Sequence, residues 1–268
     1  LAGFPVLVRI AANSPSGFSY DDLLSKATGA DVAFVDMGGN GLPFEIDTWN
    51  PDGTSLIWVR LPSMQNGTQF VMCWGGATAG KSFCSDNPWS DYAGVWHMNE
   101  EPAGITTIHD STDNALDGTT VATSSSKTDG KVGRARFITS NTANAAGKPY
   151  DSGVTVDMTG DAAKLAAVDA IVPEFTASFW VRPQNGAQWW YFITRKAADP
   201  GPGWGLQQGS SGNSSALNVF RAYGYDDIDS TCLSLSGVNG MAKGAWTKVD
   251  AVWKADKTFL LYFDGAQV

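Results

Sequence analysis

The chain has 268 residues, of which 43% are hydrophobic and 17% are charged, with 30 glycines and 11 tryptophans. This apolar content excludes a disordered chain, and the length suits two domains of ordinary size. The net charge of -9 repels polyphosphate, which makes nucleic acid and anionic membrane surfaces poor partners. Low charge with many Gly and Trp is typical of strand-rich exported proteins, so we expect an extracytoplasmic location: periplasmic, cell-surface or secreted.

Residues 1–80 have the pattern of an antiparallel β-sandwich. Apolar, β-branched segments recur about every 8 to 12 residues with turn residues between them. Residues 50–53, Asn-Pro-Asp-Gly, form a near-ideal hairpin turn between two of these segments. Only residues 20–26 are predicted to form a short helix. The predicted strands are 4–10, 31–35, 42–49, 55–61 and 68–74.

This first region resembles a known family. Residues 4–8, 29–34, 42–50 and 57–62 occur in an order similar to a bacterial domain family of unknown function. That domain is often found just ahead of a laminin-G-like domain. The resemblance covers residues 1–80 and implies a fold and a domain neighbour, with no assigned activity.

The second region follows a predicted linker at residues 81–94 and extends over residues 95–268. Alternating apolar and polar residues at 176–181 and 258–263 fit half-buried strands. In order, several segments resemble the laminin-G-like, concanavalin A-like lectin sandwich. They are residues 95–100, 110–118, 130–137, 175–183, 246–253 and 259–265. The sequence therefore predicts an all-β protein of two consecutive antiparallel β-sandwiches, the second a concanavalin A-like jelly roll.

The second sandwich is expected to be incomplete at its C-terminus. In the family that it resembles, several more strands follow the turn at Asp264 and Gly265, whereas this chain stops at Val268. A sandwich without them would expose an unpaired edge. We therefore expect that the natural protein continues, or that another protein or segment supplies the missing strands. The domain pair also resembles the extracytoplasmic region of some ExbB/TolQ-type proton-channel transport proteins.

The three cysteines leave two alternatives open. Cys73 and Cys84 flank a Gly-rich turn and could pair in an oxidising compartment, which would leave Cys232 single. Three buried thiols fit the sequence equally well.

One motif invites a catalytic interpretation. Residues 45–50, Glu-Ile-Asp-Thr-Trp-Asn, resemble the Glu-x-Asp-x-x-Glu strand of retaining glycoside hydrolases of concanavalin type. Glu45 and Asp47 would share one face of a strand. The second carboxyl of the motif is replaced by Asn50, which cannot exchange a proton, so we predict no catalytic residue and no enzyme activity. His97 is predicted to be a strand residue with a satisfied ring.

A calcium site is predicted in the acidic turn at residues 110–117. Asp110, Asp113, Asn114 and Asp117 supply the hard oxygen ligands that calcium prefers, and related lectin-like sandwiches often hold a structural calcium. A solvated turn without metal is the alternative.

Aromatic residues near turns are the candidate ligand-binding residues. A flat ring can cover the apolar face of a sugar while nearby polar groups bond its hydroxyls. Core packing is the alternative for the same residues. We predict a non-catalytic binding or scaffold module for a glycan or a protein, with the proton-channel ectodomain and the glycoside hydrolase as alternatives. The candidates are Trp189, Tyr191, Trp204, Tyr223 and Tyr225.

Overall fold

The computed structural model shows a chain built almost entirely of antiparallel β-strands, which confirms the all-β prediction. It divides into two compact units, residues 1–167 and residues 168–268, and each is described by itself. The structure describes residues 1–76, 86–100, 106–120, 124–127, 130–138, 153–183, 190–196, 203–209, 219–223, 233–236, 241–256 and 258–268.

Unit 1 begins with five strands in two sheets. The strands are β1 Ala2–Ile10, β2 Ala33–Asp36, β3 Phe44–Thr48, β4 Ser55–Ser63 and β5 Phe70–Cys73. One sheet has the order β1-β4-β3 and the other pairs β2 with β5. The ends of these strands lie within two residues of the predicted ends. The predicted helix at 20–26 is only a 3₁₀ turn, Tyr20–Asp22.

The hairpin between β3 and β4 forms where the sequence predicted it. The Gly53 amide donates to the Asn50 carbonyl at 3.1 Å, and the Asn50 amide donates to Ser55 Oγ at 2.8 Å. This turn fixes the register of the two strands, and a bulge between Ile46 and Thr48 then shifts it.

The core of unit 1 lies between the two sheets. Apolar side chains from strands of both sheets and from the 3₁₀ turn are buried there, as expected for a sandwich. Phe34 is fully buried and its ring packs edge-on against Phe44. Other members of this core are Ile10, Phe18, Tyr20, Val32, Ile57, Val59 and Leu61.

The rest of unit 1 contains short strands and the start of a helix. These elements are β6 Thr107–Ile108, β7 Gly118–Thr120, β8 Ser124–Lys127, β9 Ala135–Ile138, β10 Val154–Thr155 and α1 Ala162–Asp169. A sheet has the order β10-β7-β6, and β8 pairs with β9. The helix, which the sequence did not predict, begins after Asp161, whose carboxylate accepts the backbone N–H groups of Ala163 and Lys164.

The division between the units differs from the predicted linker at residues 81–94. Side chains from residues 89–111 hydrogen-bond to β3 in the first sheet. This segment, which the sequence assigned partly to the second sandwich, is therefore part of unit 1.

Unit 2 is a sandwich of two four-stranded sheets. Its strands are β11 Phe175–Val181, β12 Trp190–Lys196, β13 Gly203–Gly209, β14 Val219–Tyr223, β15 Leu233–Ser236, β16 Thr247–Trp253, β17 Phe259–Phe263 and β18 Ala266–Gln267. The sheets have the orders β11-β16-β17-β18 and β12-β13-β14-β15. Leu206 of one sheet packs with Val249, Ala251 and Leu261 of the other, so the core lies between them.

Cys73 is partly buried, but Cys84 and Cys232 lie outside the described residues, so both cysteine alternatives stay open.

Within the part of the chain that the structure describes, no helix has the length and apolar character needed to span a membrane.

Candidate functional site

The candidate site in unit 1 starts from two carboxylates on β3. Glu45 lies directly opposite Trp58 of β4. Asp47 lies on the same side of the strand as Glu45, as the sequence predicted, because both carboxylates contact one imidazole ring. The Trp58 indole Nε1 donates to Asp47 Oδ2 at 3.0 Å. The hairpin therefore places two acids and one indole on one face.

A histidine from a distant part of the chain lies between the two carboxylates. His97 Nε2 is 2.9 Å from Glu45 Oε2, and His97 Nδ1 is 3.3 Å from Asp47 Oδ2. The side chains of Glu45, His97 and Asp47 are 27%, 13% and 1% exposed. His97 lies in a segment without regular secondary structure, so the prediction that it is a strand residue was wrong. We call Glu45, Asp47 and His97 the carboxylate–histidine cluster.

Both oxygens of Glu45 are held by further donors. The Ser111 hydroxyl donates to Oε1 at 2.7 Å, and the Trp89 indole Nε1 donates to Oε2 in a short hydrogen bond. Trp89 also packs edge-on against Trp58. The carboxylate is therefore fixed by an imidazole, an indole and a hydroxyl, which leaves it little rotational freedom.

Asp47 is equally enclosed by donors. Asn99 Nδ2 donates to Asp47 Oδ1 at 3.0 Å and to the Asp47 carbonyl at 3.1 Å. The Thr48 hydroxyl donates to the same Oδ1 at 3.0 Å. With the indole of Trp58 and the ring of His97, these contacts satisfy a carboxylate that is almost completely buried.

A second buried ion pair lies beside the cluster. Arg136 Nη2 is 3.8 Å from Glu100 Oε2, and both side chains are at least nine-tenths buried. The other oxygen of Glu100 accepts the His109 backbone N–H at 2.8 Å. The charge of Glu100 also acts on His97.

The contacts within the cluster move two pKa values in opposite directions. Burial alone would raise the pKa of Glu45, but the hydrogen bond and charge of His97, with the Trp89 and Ser111 hydrogen bonds, lower it below its ordinary 4.5. Burial alone would lower the pKa of His97, but the Glu45 hydrogen bond and the charges of Asp47, Glu45 and Glu100 raise it above its ordinary 6.5. The geometry thus favours a charged imidazolium between two carboxylates.

The stability of unit 1 is expected to be greatest in mildly acidic solution. The contribution of His97 is complete below pH 6.5 and is lost as pH rises through its raised pKa. The contribution of Glu45 is complete above pH 4.5 and is lost as pH falls through its lowered pKa. Both contributions are therefore complete only between these two values.

Urea unfolding followed by tryptophan fluorescence across a pH series measures this dependence. The difference between the wild type and His97→Ala at each pH isolates the cluster from other titrating groups. A difference that grows as pH rises above 6.5 would contradict the assigned charge of His97.

The predicted calcium residues lie in a turn whose side chains bind the protein itself. Asp110 accepts the backbone N–H groups of Val95, Thr112 and Leu116, at distances of 2.8 to 3.1 Å. Asp117 Oδ1 accepts the Asp110 backbone N–H at 2.9 Å. Among the described residues, no group of three or more His, Cys, Asp or Glu side chains is arranged to hold a metal ion.

The other two predicted calcium ligands have different partners. Asp113 Oδ1 accepts from Asn87 Nδ2 at 2.9 Å, and Asn114 Nδ2 donates to the Ala93 carbonyl at 3.0 Å. The hydrogen bonds of the turn account for its conformation, and the calcium site itself stays a prediction.

The predicted ligand-binding aromatic residues belong to unit 2. Trp204 is buried in the core, where its ring packs against Phe175 and Trp253. This position makes Trp204 a core residue and removes its ring from any surface that a ligand could reach. Tyr191 lies on β12 and Tyr223 on β14, whereas Trp189 and Tyr225 lie outside the described residues.

Comparison with known proteins gives one match. Residues 157–268 match a laminin-G-like family model described as the concanavalin A-like lectin/glucanases superfamily. The match confirms the lectin-like resemblance for this part of the chain and includes all of unit 2. No curated protein and no solved structure gives a significant match. The resemblances of residues 1–80 and of the domain pair stay predictions.

Proposed function

We propose that the chain is a non-catalytic binding module that works outside the cytoplasm and recognises a glycan. The match of residues 157–268 to the lectin/glucanases superfamily is the observation that carries the proposal. The two four-stranded sheets of unit 2 agree with that superfamily in architecture. Because folds of this kind support both binding and hydrolysis, the choice between the two depends on the chemistry of the carboxylates.

The geometry of unit 1 favours binding over hydrolysis. Retaining hydrolysis needs one carboxylate as nucleophile and one protonated carboxyl as acid, about 5 to 5.5 Å apart. The acid needs a raised pKa so that it holds a proton near neutral pH. The lowered pKa of Glu45 excludes it as the acid, and its oxygens already accept from three side chains. The cluster therefore supports a role in holding Trp89, His97 and Ser111 against β3.

Binding and turnover can be measured in the same samples. Soluble β-1,3-glucan, xylan, mannan and glycogen are incubated with the protein, and complex formation and new reducing ends are recorded. We expect retarded migration in at least one polysaccharide gel and no new reducing ends in any sample. Turnover that Glu45→Gln abolishes, and that the exposed control Glu174→Gln keeps, would establish a hydrolase and contradict the proposal.

A further inference from the structure

The sheet β11-β16-β17-β18 of unit 2 has two chemically different faces. Side chains alternate between the faces along each strand. The inward face is apolar and includes Ala177, Val249 and Leu261, all buried in the core. The outward face carries mostly polar and aromatic side chains, together with the partly buried Val252 and Leu260. The polar and aromatic members are Thr176, Ser178, Trp180, Lys248, Asp250, Tyr262 and Gln267.

Four of the outward residues form a continuous row. Ser178 lies opposite Asp250, Asp250 opposite Tyr262, and Tyr262 opposite Gln267. The row therefore crosses all four strands. At a strand spacing of about 4.8 Å it extends over about 14 Å, which is the length of a short oligosaccharide.

The polar members of this face hold each other in place. The Ser178 hydroxyl donates to Asp250 Oδ1 at 2.5 Å, and Lys248 Nζ donates to the same oxygen at 2.6 Å. Lys248 Nζ also contacts the Ser178 hydroxyl. One positive and one negative group balance, so the patch favours a neutral ligand over a charged one.

An aromatic residue lies on each side of this polar group. Trp180 is opposite Lys248 on β11, and Tyr262 is opposite Asp250 on β17. Trp180 is 37% exposed. An accessible indole beside fixed donors and acceptors is what a sugar ring requires, because its flat face is apolar and its rim carries hydroxyls.

We propose that this outward face is the glycan-binding surface of unit 2 and takes a neutral oligosaccharide across the strands. The inference rests on the proposed function and assigns it a site. Trp180 and Tyr262 would cover sugar faces, while Ser178, Lys248, Asp250 and Gln267 would bond hydroxyls. This assignment replaces the buried Trp204 as the aromatic residue that contacts the ligand.

Affinity gel electrophoresis of the full chain in the neutral polysaccharide that retards the wild type most tests the site. We expect Trp180→Ala and Tyr262→Ala each to weaken binding by about tenfold or more. The control is Tyr92→Ala in unit 1, a residue that is also 37% exposed, and it should bind like the wild type. Circular dichroism verifies that each variant is folded.

A second pair of variants covers the case in which an aromatic truncation disturbs the fold. Asp250→Asn keeps the shape of the side chain and should weaken binding about fivefold. The exposed Asp256→Asn is its control. Wild-type binding with unchanged affinity in Trp180→Ala, Tyr262→Ala and Asp250→Asn would overturn this site and leave the proposed function standing. If no polysaccharide retards the wild type, both this site and the proposed glycan-binding function are overturned. If the chain binds a protein and no polysaccharide, the site and the proposed function are overturned in the same way.

Discussion

Replacing His97 by alanine is expected to lower the free energy of unfolding of unit 1 by about 3 to 5 kcal/mol. The substitution removes the positive group between Glu45 and Asp47 and leaves two carboxylates facing each other at a largely buried position. Losing one partner of a buried ion pair is costly because the remaining charge is neither hydrated nor neutralised. The same change removes one of the contacts that join residues 95–100 to β3, while the Asn99 hydrogen bonds to Asp47 remain.

Hydrogen exchange of peptides that cover β3 and β4 measures this effect in unit 1. The control is His109→Ala, because the side chain of His109 is 70% exposed. We expect the control to change stability by less than about 0.5 kcal/mol. Equal exchange in the wild type and His97→Ala would show that the imidazole carries no structural role.

Replacing Asp110 by alanine is expected to lower the free energy of unfolding of unit 1 by about 3 to 4 kcal/mol. Asp110 is buried and accepts three backbone N–H groups, from Val95, Thr112 and Leu116, together with the Thr112 hydroxyl. Alanine leaves these donors without an acceptor inside the protein, and each unsatisfied buried donor is destabilising.

Heat unfolding of Asp110→Ala, with and without calcium, distinguishes the two interpretations of this turn. The exposed Asp113, which accepts from Asn87, provides the control Asp113→Ala with an expected loss of less than about 1 kcal/mol. If the turn is held by hydrogen bonds alone, Asp110→Ala loses the same amount of stability with calcium as with a chelator. A loss seen only with calcium present would instead support the predicted metal site.

The strands of unit 1 could be predicted because their signals are local. Alternating apolar residues and the 50–53 turn identify β3 and β4, and alternation also places Glu45 and Asp47 on one face. The register set by the turn would place Val59 opposite Glu45, and the bulge between Ile46 and Thr48 brings Trp58 to that position instead. The turn alone therefore did not identify Trp58 as the neighbour of the two carboxylates.

The partners of the two carboxylates could not be predicted in the same way. His97 is 52 residues from Glu45 in the sequence, and Ser111 is 66 residues away. No periodicity connects positions this far apart, and the segment that carries His97 has no regular secondary structure. For the same reason the sequence placed residues 95–120 in the second sandwich, whereas they pack in unit 1.

Trp204 shows a different limit of sequence reasoning. The sequence placed Trp204 near a turn and left ligand binding and core packing open. Residues 203–209 form β13, and the indole is buried in the core. Strand alternation alone gives a tryptophan two possible faces. Only the position of the opposite sheet determines which face is inside.

We propose that the carboxylate–histidine cluster holds unit 1 together as fixed charges and transfers no protons. Nitrogen NMR of the His97 imidazole across a pH series reports the charge of this ring directly, with the exposed His109 as comparison in the same sample. We expect both His97 nitrogens to be mostly protonated at pH 6.5, because the contacts of the ring raise its pKa above that value. A ring that is already neutral at that pH would contradict it and would make a proton-transfer role tenable.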